Sequence, residues 1–84
     1  MAHVDTTTAT VVGAADEVAS LLAEMGVSQR ELARRLGWPQ PRIQRRIAGD
    51  IPITVRDLER IADALGVPLS TLLPADDTPA EVTS

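Results

Sequence analysis

Gln40, Arg42, Gln44, Arg45 and Arg46 crowd five hydrogen-bonding or cationic side chains into one short segment. Arginine's planar fork matches the O6 and N7 edge of guanine, and a glutamine amide matches the N6 and N7 edge of adenine. Side chains of this kind recognise; they do not make or break bonds. The chain has no cysteine, and its one histidine, His3, has no second ligand beside it. The serines Ser20, Ser28, Ser70 and Ser84 have no base next to them in sequence, the carboxylates are scattered, and no glycine-rich phosphate loop occurs. These features argue against an enzyme and leave no catalytic residue, metal site or cofactor to expect.

The charge balance at first opposes a nucleic-acid partner. The formal net charge is −4, whereas proteins that bind nucleic acid are usually basic. Position reverses the conclusion. All eight basic residues are arginines, and all fall between Arg30 and Arg60: Arg30, Arg34, Arg35, Arg42, Arg45, Arg46, Arg56 and Arg60. Only Glu31, Asp50, Asp57 and Glu59 oppose them there, while the flanking segments carry four acids each and no Lys or Arg. An electropositive centre between acidic ends is a polarised surface rather than an acidic one.

The elements that must hold this segment are all helical by periodicity. Residues 1–13 show no sustained pattern and read as a mobile arm. From Asp16, Val18, Leu21, Leu22 and Met25 recur at helical spacing, and Gly26 stops the run. Ser28 and Glu31 have the spacing of a capping box, in which the hydroxyl and the carboxylate each accept from the other residue's amide. Leu32, Ala33 and Leu36 form the inner face of that helix, and Arg35 stands one turn after Glu31, at pairing distance. Gly37 ends it, and only Trp38 and Pro39 intervene before the next helix, a connection short enough to force a steep crossing. Trp38, the single aromatic residue, is expected to pack in the core or turn.

The third helix, 40–48, has apolar anchors only at Ile43 and Ile47. Pro41 disfavours helical geometry at Gln40 and makes Gln40 a candidate cap. After the loop at Gly49 to Pro52, Thr54 and Asp57 repeat the capping-box spacing with Asp in place of the usual Glu or Gln. Leu58, Ile61, Ala62 and Leu65 make the stripe of the fourth helix. Arg56 and Arg60 on its other side read as surface residues or partners of acids on the same helix. Residues 68–73 read as a fifth, short helix capped by Ser70, with Leu69, Leu72 and Leu73 closing the core. The Asp-, Thr- and Pro-rich residues 75–84 read as a disordered acidic tail. The expected fold is all-α, a compact five-helix domain over 14–74. No stretch reaches transmembrane length, and Met1 to Ala15 lacks the basic flank and apolar run of a secretory signal. A soluble, cytoplasmic protein is expected.

Two runs of this chain together resemble the Cro/C1-type (XRE-like) helix-turn-helix family. The first is Val27-Ser28-Gln29-Arg30-Glu31-Leu32-Ala33-Arg34-Arg35-Leu36-Gly37-Trp38. The second is Leu58-Glu59-Arg60-Ile61-Ala62-Asp63-Ala64-Leu65-Gly66-Val67, with Ile43, Arg45 and Gly49 between them. The resemblance covers roughly Val18 to Leu73. It implies a lambda-repressor-like fold, bacterial or phage origin, and a homodimer on partly palindromic double-stranded DNA. It also implies a phosphate contact by Gln29, beside which Arg30 is a second phosphate candidate. Base contacts are implied at the start of the recognition helix and about a turn and a half later, at Gln40, Pro41, Gln44 and Arg45; Pro41 can offer only apolar contact. Arg42 joins the base readers by its chemistry. Where the family often has an apolar residue this chain has Arg46, and with Ile47 taking over as anchor Arg46 reads as turned outward to a phosphate. Family habit places the dimer surface around Val67, Leu69 and Leu72.

A sequence-specific transcriptional regulator of the repressor or Cro kind is therefore expected. The competing reading is a protein-interaction module, an antitoxin or anti-repressor on the same fold, with the acidic ends engaging a basic protein partner.

Overall fold

A computed structural model of the protein describes residues 9–74. Four α-helices follow in order: α1 (Ala14–Met25), α2 (Gln29–Leu36), α3 (Gln40–Ala48) and α4 (Val55–Leu65), then a 3₁₀ turn, Leu69–Leu72. The described residues contain no β-strand, only an isolated antiparallel bridge between Thr10 and Thr54. The all-α expectation holds, and its fifth element is a 3₁₀ turn. Among the described residues no helix is long and apolar enough to cross a membrane. The expectations for residues 1–8 and 75–84 lie outside the described residues.

One apolar cluster joins the elements. Val18 and Leu22 of α1, Leu32 and Ala33 of α2, Trp38, Ile43 of α3, Ile53, Leu58, Ile61, Ala62 and Leu65 of α4, and Leu72 are all buried in it. Helix α2 packs on both α3 and α4, α1 on α3, and the 3₁₀ turn closes against α1 and α4. Each helix contributes the stripe its periodicity marked, except at the ends. Met25 is 40 % exposed and Leu73 39 %, so neither completes the core. Leu72 does so alone, with Leu69 half-buried. Leu72 is therefore unavailable to the dimer surface expected around it.

The turn between α2 and α3 decides how α3 is presented. Gly37 takes a left-handed conformation, φ 74°, which a side chain would strain. Its amide donates to the Arg34 carbonyl and the Trp38 amide to the Ala33 carbonyl, a Schellman closure of α2. The chain doubles back, so Trp38 enters the core at 8 % exposure, the packing role expected of it. Pro39, not Gln40, is the N-cap of α3, and Pro41 stands in the first turn. Proline costs little there because first-turn amides have no helical partner.

Two further caps depart from expectation. Ser28 Oγ accepts from the Glu31 amide, but the Glu31 carboxylate does not return to the Ser28 amide; it turns along the helix to Arg34 and Arg35. Only half of that box forms. The Thr54–Asp57 box is complete. Ser70 caps nothing, since Pro68 is the N-cap of the 3₁₀ turn and no side chain bonds to it.

The last part of the expected arm is tied down. The Val11 amide donates to Ile53 O at 2.8 Å and the Val55 amide to Ala9 O at 2.9 Å. Val11 packs against the core while Val12 stays 83 % exposed. These β-branched residues favour extended backbone, and the segment pairs with the loop before α4. Gly13 then starts α1 with φ 85°, and a Cβ there would lie 3.3 Å from Pro74 Cγ, so Gly13 also brings the two ends of the domain together.

The closing role of Leu72 predicts an asymmetry between adjacent leucines. Leu72→Ala should lower unfolding free energy by about 2–5 kcal/mol and Leu73→Ala by less than about 1 kcal/mol. Urea denaturation of the two variants checks this, and equal losses would contradict the placement.

Candidate nucleic-acid interface

Helix α3 has one fully buried residue, Ile43, with Ile47 half-buried beside it. Gln40, Pro41, Arg42, Gln44 and Arg45 are all exposed. With about 100° between successive residues, Pro41 and Arg45 both fall nearly opposite Ile43, with Gln44 on the flank of that outward face. The arrangement is a helix held from behind and open in front, as a groove-reading helix must be.

Arg42 is exposed but leans back. Its guanidinium carbon lies 3.9 Å from the centre of the Trp38 ring, a cation–π contact worth about 0.5–1 kcal/mol at an exposed site. Of the five residues expected to read bases, Arg42 is thus the one whose charged group is already occupied.

Arg46 departs from its expected place. Expected to point outward to a phosphate, it lies along the inner flank of α3, where its side chain is 16 % exposed and its Nε donates to Asp57 Oδ2 at 3.2 Å. Its Nη1 donates to the Arg42 carbonyl at 3.1 Å. Ile47 adds to the anchor without displacing residue 46 from it: the position falls only about 60° round the helix from Ile43. The apolar habit of the family at this position was the signal for an inward side chain. Arginine meets it with a buried stem and a paired head. The partner, Asp57, is 7 % exposed, and sequence reasoning placed it only in the cap.

At the N-terminus of α2, Gln29 is half-buried and Arg30 exposed. The amides of the first helical turn have no partner within the helix, and here Ser28 Oγ takes only that of Glu31. Glu31 is the acid of this first turn; beside it, first-turn amides without a helical partner and the positive end of the helix dipole favour an anion. Glu31 is held by Arg34, through Nε at 3.0 Å and a second bond from Nη2, and by Arg35 Nε at 3.0 Å. The Arg35 pairing matches expectation; Arg34 was the missed partner. These hydrogen bonds, Arg34's first, hold the Glu31 carboxyl at about 2, down from 4.5.

Arg56 and Arg60 are exposed, and together with Arg30, Arg42 and Arg45 they form no ion pair among the described residues. They are surface charges rather than partners of acids on α4. An open cleft of about 350 Å³ lies between Thr10–Gly13 and Gly49–Ile53, with Arg46 in its wall. It was not expected from the sequence, which marks no pocket.

The Glu31 pairing has a pH signature. A carboxyl held lower in the folded protein contributes stability that is full above its ordinary value and lost as pH falls through the folded one. Here the loss runs from about 4.5 down to about 2. The groups are largely exposed, so the effect is small. The thermal midpoint of the wild type should exceed that of Glu31→Gln near neutrality, with the gap closing across this window. A gap that widens on acidification would contradict the pairing.

The helix-turn-helix family model matches residues 18–72 of this chain. Comparison with curated proteins and with solved structures yields no match. The matched span runs from Val18 of α1 through Leu72 of the 3₁₀ turn and includes the whole α2–α3 unit. By that match and by the arrangement of α2, Gly37 and α3, the chain belongs to the Cro/C1-type, XRE-like helix-turn-helix family of DNA-binding proteins.

Proposed function

We propose that the protein is a sequence-specific transcriptional regulator, of the repressor or Cro kind, that binds double-stranded DNA as a homodimer. The observation that carries this reading is the single buried residue of α3. Ile43 holds the helix to the domain while Gln40, Pro41, Gln44 and Arg45 stay exposed. In the major groove Arg45 reads guanine, the glutamines read adenine, and Pro41 packs against a thymine methyl. Arg42 joins them after leaving Trp38. Gln29, Arg30 and the first-turn amides of α2 hold a phosphate and set the register.

A homodimer on a two-fold site would present two such helices about one turn of DNA apart. Residues 14–74 are the DNA-binding unit in this reading. The place of action is the cytoplasm of a bacterium or a phage-infected host. The surplus of arginine near the interface makes binding salt-dependent, while the net charge of −4 discourages non-specific association.

Selection of duplex DNA from a random pool at about physiological salt tests the proposal, since specific and non-specific binding separate there. A short, two-fold-symmetric site should be enriched. Failure to enrich any site with folded protein would instead favour the protein-interaction reading. Arg45→Ala should cost about 1–3 kcal/mol, confined to one base position of each half-site. Gln29→Ala should weaken binding to all sequences alike, and a loss restricted to one base would contradict its phosphate role.

A further inference from the structure

Among the described residues Asp57 is the charged residue that is buried, at 7 % exposure. Capping α4 requires an acceptor at this position but not a full charge. The charge is matched from another helix. The same oxygen, Oδ2, accepts from the Thr54 amide at 3.1 Å and from Arg46 Nε at 3.2 Å. One atom therefore joins the start of α4 to the flank of α3.

That joint matters because α3 has so little else. Ile43 is its one fully buried side chain, with Ile47 half-buried beside it, and a helix anchored on so narrow a stripe can roll about its own axis. Arg46 lies about 60° round from Ile43, where a directional bond resists the roll. Beyond Asp57, Arg46 reaches the Arg42 carbonyl, and its guanidinium carbon lies 5.6 Å from the centre of the Trp38 ring. Arg42 covers the same ring at 3.9 Å.

We infer that Asp57 is a positioning residue for base recognition: through Arg46 it sets the roll of α3, and with it the direction of Gln44 and Arg45, and it withholds the Arg46 charge from DNA phosphate. This rests on the DNA-reading role proposed above. Asp57 itself touches no base.

Two variants test it. Asp57→Asn retains an acceptor for the Thr54 amide but loses the charge that holds Arg46. Arg46→Met removes the tie from the other side and keeps an apolar stem. The first readout needs no DNA. Trp38 is the chain's only Trp, Tyr or Phe, so upfield-shifted Arg42 methylene protons in an NMR spectrum report how α3 faces the indole. Both variants should lose at least about half of that shift while the core methyl signals of Leu58 and Ile61 stay dispersed.

The second readout is binding to the selected site and to its single-base variants over a range of salt. Discrimination should fall about tenfold in both variants, the size of a typical 1.4 kcal/mol contact. Only Asp57→Asn should steepen the salt dependence, by about 0.9 in the log–log slope, as the freed Arg46 finds a phosphate. Unchanged Arg42 shifts, or specific and non-specific affinity falling together with discrimination intact, would overturn the inference. If the wild type discriminates no DNA sequence, the proposed function fails and the Arg42 shifts alone decide the role of Asp57. If Asp57→Asn does not fold, Arg46→Met decides it.

Discussion

A buried carboxylate is tolerated only when its charge and its lone pairs are answered, and Asp57 obtains both answers from different parts of the chain. The Thr54 amide comes from its own helix cap, and the Arg46 guanidinium comes from α3. The requirement cuts both ways: removing either partner of a buried pair is costly because the remaining charge has none. Around this joint the domain assembles in a definite order of dependence. The cap starts α4, whose Leu58 and Ile61 fill the core. The residue that starts the cap, Thr54, is also bridged to Thr10. The first described residues, the loop before α4 and the exposed helix α3 are thereby connected through a few atoms.

The distribution of charge follows the same economy. Of the eight arginines, three are paired with two carboxylates of the same domain, Arg34 and Arg35 sharing Glu31 and Arg46 with Asp57. What remains at the surface is a sparse set of cations with no ion pair among the described residues, on a protein whose formal charge is −4. Such a surface attracts polyanions weakly at long range and strongly only where the arginines stand. Net charge was therefore a poor guide to the partner, and the position of each arginine a better one.

Most of the architecture could be read from the residues because the signals were local. Gly26, Gly37 and Gly66 end helices, the apolar stripes have helical spacing, and Ile43 with Ile47 marks α3 as thinly anchored. What could not be read depended on choices between partners distant or equivalent in sequence. Glu31 had the Ser28 amide and two arginines within reach, and the arginines prevailed. Arg46 is eleven residues from Asp57, so no periodicity links them. The docking of Ala9 to Val11 depends on backbone groups of Ile53 and Val55, which no side-chain pattern announces. Leu73 and Met25 fit their stripes but fall where the core has already closed. For the interface, the exposure of Gln40, Pro41, Gln44 and Arg45 agreed with their types, while the stacking of Arg42 on Trp38 joined two residues whose proximity only the turn creates.

The thin anchorage of α3 has an evolutionary consequence. Most domains cannot alter a whole helix without repacking their interior, because each turn contributes several side chains to it. Here most of the helix's nine positions face away from the core. Substitutions at 40, 41, 44, 45 and 48 change the displayed chemistry at almost no structural cost, provided they respect helix propensity. Duplicated copies of such a gene can drift apart in the sequences they favour while keeping the same melting behaviour. Divergence of preference is thereby separated from the seating of the helix, which rests on Ile43, Ile47, Arg46 and the carboxylate opposite.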